Sequence, residues 1–179
     1  MTNQPLKQPK SREFGGNSFK SSKQNKSILI LAHNYPTTGG TYGGQPVARR
    51  VPFYKEAGYD VSIFVPTKTK TKGRVTANDG TTVYHAPMSR IEKVVKNTNT
   101  GQLAIHSPTP DIYAATKKLM LDLPTHIWIH GFEARNWREL DSDFSAEEIA
   151  MNGKQLDIAN VERQWTLSEL FNNPDINKI

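Results

Sequence analysis

The chain has 179 residues and a mass of 20.1 kDa, enough for one domain with a proper core and too few for two. Its composition, 36% hydrophobic and 22% charged, suits a globular protein, and the lack of Cys excludes disulfides and thiolate metal sites and fits a reducing compartment. The formal net charge of +6 is nearly all in residues 1–26, where six Lys and Arg face one Glu, so the remainder is close to neutral and encodes no specific nucleic-acid face.

Residues 1–26 hold only scattered large apolar side chains (Leu6, Phe14, Phe19), too few to bury a core, and read as a disordered basic tail ahead of a domain spanning 27–179. The tail has no apolar segment of the secretory kind, and no run of about 18 apolar residues occurs in the sequence, so a cytoplasmic protein is expected. Weak attraction of the tail to anionic lipid at the inner face of the membrane stays open.

Ser27 to Ala32 is a continuous apolar run, the pattern of a strand buried on both faces of a parallel sheet. It runs through His33-Asn34-Tyr35-Pro36 into a glycine-rich loop containing Gly39, Gly40, Gly43 and Gly44. A helix follows, with Pro46 in its first turn, apolar residues at Val47, Val51, Tyr54 and Ala57, and Gly58 as its stop; Pro52 predicts a kink within it.

Asp60 to Val65 gives the second strand, and the alternating basic segment Thr67 to Arg74 reads as a solvated loop. Arg74 to His85 predicts a hairpin with a tight primed turn at Asn78-Asp79-Gly80. Met88 to Asn97 is weakly helical, Gln102 to His106 a short strand, Pro110 to Leu123 a helix, and Thr125 to Ile129 a strand ending at His130-Gly131-Phe132-Glu133. Ser145-Ala-Glu-Glu148 matches a capping box, opening a helical stretch of unsettled continuity towards Leu170. Strands alternating with helices predict an α/β domain built on a doubly wound, Rossmann-like parallel sheet, with its ligand site beyond the carboxyl ends of the strands.

Those strand ends offer His33 with the glycine loop, His85, His106, and His130 with Glu133. The glycine loop entering a helix suggests backbone N–H groups and a positive dipole end suited to an anion. A dinucleotide fingerprint is absent, since the glycines run GGTYGG and no acid ends the second strand; no P-loop signature follows either. The histidines do not show a metal-ligand spacing on any one element.

Ile28 to Pro36, the loop Thr41-Tyr-Gly-Gly44 and Arg49 to Val65, with its Lys55-Glu-Ala-Gly-Tyr-Asp-Val61, together resemble the opening of glycosyltransferase family 4, and Trp128-Ile-His-Gly-Phe-Glu133 resembles the family's strand end that faces the sugar. The resemblance covers about residues 27–138. It implies the N-terminal, acceptor-side domain of a two-domain GT-B enzyme, a hexosyltransferase moving a sugar from a nucleotide-sugar donor to a saccharide or glycolipid acceptor in polysaccharide biosynthesis, with retention and without a metal or other cofactor. On that likeness Gly40, Gly43 and Gly44 approach the donor diphosphate or acceptor, His130 touches the transferred sugar as the catalytic candidate, Glu133 supports its loop, and His33 joins the substrate-binding set.

The family's second, donor-binding domain has no counterpart in this sequence, so the chain by itself is expected to be inactive. An isolated domain, a split gene product and a half-enzyme completed by a C-terminal domain on another polypeptide all remain open. Two other readings compete. An epimerase would use Tyr113-x-x-x-Lys117, the spacing of a Tyr-Lys pair, and a non-catalytic binding module would use the basic tail on nucleic acid or anionic membrane.

Overall fold

The computed structural model describes residues 25–37, 44–68, 73–131, 134–139 and 144–174. It contains strands β1 (Ser27–Leu31), β2 (Asp60–Pro66), β3 (Gly73–Thr76), β4 (Thr82–Ala86), β5 (Gln102–His106) and β6 (Thr125–Trp128). The helices are α1 (Gln45–Ala48), α2 (Val51–Glu56), α3 (Ile91–Asn97), α4 (Pro110–Asp122) and α5 (Ala146–Asn172), with a 3-10 turn at Met88–Arg90. The expected disorder of the tail falls almost wholly on residues outside this set.

The strands form one six-stranded sheet in the order β3-β4-β2-β1-β5-β6. All neighbours are parallel except β3, which pairs antiparallel with β4 at the edge. The fold is therefore α/β and Rossmann-like, as the alternation of elements predicts. Every residue of β1 and of β5 is buried, because each strand has neighbours on both sides and packing on both faces.

Side chains alternate between two cores. Leu29, Leu31, Phe64, Leu103 and Ile105 face α3, α4 and Leu170 of α5. Ile28, Ile30, Ile63, Val83 and Ala104 face Val47 and Val51 of α1 and α2. No helix among the described residues is long and apolar enough to cross a membrane.

Two local expectations are corrected and one left open is settled. The helix after β1 is not kinked at Pro52 but broken at Arg49-Arg50, and Pro52 sits in the first turn of α2, where its missing N–H deprives no intrahelical bond. Gly58 does end α2: it lies at φ +83°, with its N–H bonded to the Lys55 carbonyl and that of Tyr59 to the Tyr54 carbonyl. The hairpin turn is a three-residue loop rather than a two-residue primed turn, closed by Gly80 N–H to Ala77 O and Ala77 N–H to Thr81 O, both 2.9 Å. Finally, the stretch after Ser145 is one unbroken helix of 27 residues, opened by the expected capping box.

Candidate functional site

The sheet order reverses at β1: the chain builds outward through β2 to β4 on one side, then crosses to β5 and β6 on the other. At that reversal the connections leaving β1 and β5 diverge to opposite faces, and the carboxyl ends of the two strands leave a crevice. The smaller of two adjoining hollows occupies it, the larger runs from it past the ends of β2 and β4, and His33 lines both.

The smaller hollow, about 210 Å³, is walled by His33 and Asn34 after β1, by Gly44 and Val47, and by His106, Ser107 and His130. Gly44 is required there by two independent constraints. Its φ is +83°, and a Cβ would lie 2.3 Å from the Asn34 carbonyl oxygen, so the chain leaving β1 presses directly on this backbone.

His106 is 2% exposed and is the buried anchor of the wall. Its Nδ1 lies 3.0 Å from Nε2 of His130. The ring centroids are 5.2 Å apart at an interplanar angle of 26°, so the imidazoles meet edge to edge rather than face to face. Burial, then the nearby His130 and the charge of Arg50, push the His106 imidazolium down to about 4, so the ring is neutral at pH 7 and one proton lies in the bond to His130. Among the described residues no partner within hydrogen-bond reach meets His106 Nε2.

The other flank of His106 is fixed by Trp128, its register partner on β6, with parallel rings 5.7 Å apart. Trp128 in turn donates from Nε1 to the Tyr54 hydroxyl at 3.2 Å and carries the Arg50 guanidinium 4.5 Å over its ring. The break at Arg49-Arg50 thus places a cation beside the histidine pair.

Opposite, His33 Nε2 lies 3.1 Å from the Ser107 carbonyl. A carbonyl has no hydrogen to give, so Nε2 carries the proton and donates it. Ser107 holds the left-handed conformation at φ +54°, with its N–H bonded to Trp128 O. The larger hollow, about 740 Å³, combines Lys68, Asp111, Thr67 and Thr109 with the apolar Met88 and Ile112. That volume is within the range of small-molecule sites, and mixed donors and acceptors around an apolar floor suit a polyhydroxylated ring.

The sequence-predicted residues divide accordingly. His33, Gly44 and His130 come together around the smaller hollow, whereas Gly40, Gly43 and Glu133 lie outside the described residues. His85 does not join them: it lies on β4, beyond β2, and lines a separate cavity. Of the anion site expected from the glycine loop and the helix start, residues 38–43 lie outside the described residues, and the helix start alone offers few free amides. The helix at Gly44 is one turn of four residues, Pro46 has no N–H, and the amides of Val47 and Ala48 both turn to the Gly44 carbonyl.

Tyr113 and Lys117 are not a reactive couple. The Tyr113 hydroxyl donates to Glu169 at 3.0 Å and Lys117 pairs with the same carboxylate at 3.5 Å, so both tie α4 to α5. No group of histidines and carboxylates suited to a metal occurs among the described residues. No family model, curated protein or solved structure matches the chain.

Sequence reasoning placed His106 at a strand end without giving it a role, and it did not single out Asp111 and Lys68, which line the larger hollow. Asp111 had a signal, since Thr109-Pro110-Asp111 is an N-terminal helix signature that puts the acid in the first turn of α4, at the carboxyl edge of the sheet.

Proposed function

We propose that this chain is the acceptor-side half of a nucleotide-sugar-dependent glycosyltransferase, with the saccharide or glycolipid acceptor held in the crevice between β1 and β5. The observation that carries the reading is the pairing, across His33, of a histidine-walled hollow with a larger one bearing Asp111 and Lys68. The sequence likeness around residues 27–138 points the same way. In this reading Asp111 accepts from sugar hydroxyls, Lys68 donates to them, and His130 makes a polar contact to the transferred sugar, held by the neutral His106. A neutral imidazole anchor favours a hydroxyl over a diphosphate at this spot, which leaves the charged donor to a C-terminal GT-B domain.

Release of nucleoside diphosphate from a panel of sugar nucleotides, by the chain alone and mixed with such a domain, tests the proposal. The expected result is no turnover alone, turnover in the mixture, and a loss of about 3- to 10-fold in the mixture for His130→Ala, as befits one lost hydrogen bond of about 0.5–1.5 kcal/mol on an exposed side chain. Turnover by the pure chain would overturn the half-enzyme assignment. A folded His130→Ala protein with undiminished turnover would remove His130 from the site.

A further inference from the structure

Next to β4, the β3–β4 hairpin leans over α3 and encloses a cavity of about 230 Å³. Its floor is apolar, formed by Tyr84, Ala86 and Val94, and its rim carries Arg74, Arg90 and Lys93. Three separate elements supply these cations: β3, the 3-10 turn and α3. Arg90 and Lys93 are three residues apart on continuous helical backbone, and so share a face. Arg74 comes from across the hairpin, opposite Tyr84 in the register, with its guanidinium 5.9 Å over the Tyr84 ring.

Among the described residues no carboxylate lines this cavity. The two ion pairs among the described residues, Lys117–Glu169 and Arg138–Asp157, lie elsewhere. Three cationic residues lining one small hollow give it a joint positive field that an entering counter-charge would relieve, and the apolar floor strengthens that field. Because Gly73 pairs with His85, one end of the cavity lies near the carboxyl end of β4, on the same side of the sheet as the strand ends that bear the histidine crevice. It lies two strands away, roughly 10 Å at about 4.8 Å per strand.

We propose that this cavity is a subsite for a phosphate ester, with the phosphoryl oxygens held by Arg74, Arg90 and Lys93 and the adjoining carbon atoms against Tyr84 and Val94. The chemistry matches in number and in shape. A phosphate monoester carries close to two negative charges and three acceptor oxygens, which a single carboxylate does not, and guanidinium groups grip such oxygens in pairs. The volume admits one phosphoryl group with a small attached group and excludes a dinucleotide. The inference is independent of the reaction proposed for the histidine crevice.

The test uses the full chain, as wild type, as Arg74→Gln/Lys93→Gln, and as Lys154→Gln, which removes an exposed cation from α5 instead. Each protein is titrated with glycerol 3-phosphate by calorimetry and mixed with phosphatidylcholine vesicles with and without phosphatidic acid; circular dichroism verifies folding. Binding of glycerol 3-phosphate that weakens at least tenfold in the double variant, and not in Lys154→Gln, supports the subsite with a soluble ester. Retention on phosphatidic acid vesicles alone, lost in the same variant, supports it with a lipid headgroup as the source. Absence of binding to both probes overturns it, as does binding that the double variant leaves unchanged, which would assign the anion affinity to the basic tail.

Discussion

β1 and α5 are held in opposite ways. Each of the five residues of β1 is buried, with a parallel strand on either side and a core on either face, whereas α5 buries three of 27, namely Asn160, Thr166 and Leu170. Its apolar residues Met151, Ile158, Val161 and Trp165 follow helical spacing but face solvent. Besides Leu170, what fastens α5 is largely polar: the bonds from Trp137 and Arg138 to Asp157, and those from Tyr113 and Lys117 to Glu169, while the capping box secures only its own first turn. The longest element with the clearest local signal is thus among the least buried, because capping and propensity act within an element while attachment depends on apolar area removed from water.

The contrast is sharpened most by Leu29→Ala, which opens a cavity where no neighbour is free to collapse. A loss of about 2–5 kcal/mol in urea unfolding is expected, and a loss below about 1 kcal/mol would show that the centre of the sheet is looser than its burial.

The second test is pH. His106 titrates near 4 when folded and near 6.5 when unfolded, so the unfolded chain binds more protons in between, and stability falls as pH drops through that window. The ceiling is about 3 kcal/mol, since every tenfold loss of proton affinity on folding is worth about 1.4 kcal/mol. His106→Gln, which cannot charge, is expected to flatten the stability profile between pH 6.5 and 4; an unchanged slope would assign the acid sensitivity to other groups.

The smallest effect is expected on α5. Val161 is 66% exposed, and Val161→Ser should move stability by no more than about 0.5 kcal/mol. A loss above about 1 kcal/mol that grows with protein concentration would break the comparison, because the stripe would then be covered in solution by a second copy.

The strands from Ser27, Asp60, Gln102 and Thr125 were legible because each is a short apolar run between polar boundaries, and the capping box was legible because its reciprocal bonds need only residues three apart. The break at Arg49-Arg50 was not, since the apolar spacing Val47, Val51, Tyr54 fits one continuous helix as well as two short ones. The histidine pair was hidden for a different reason. His106 and His130 are 24 residues apart, and they meet only because β5 and β6 are neighbours with His106 opposite Trp128. Strand order also separates His85 from the other strand-end histidines, and nothing in its local sequence announces the two strands between β4 and β5. Tyr113-x-x-x-Lys117 illustrates the converse: a spacing that suggests chemistry is also the spacing of one helix face, and here that face binds α5.

The sheet order also sets a schedule for the chain as it is made. β1 gains β2 after some 33 residues, but its other neighbour, β5, pairs Gln102 with Ile28, 74 residues further along. At about 5–20 residues per second, β1 waits about 4–15 s with one apolar edge unpaired. During that interval Ile28 to Leu31 is the segment of the nascent chain most in need of shelter from other strands.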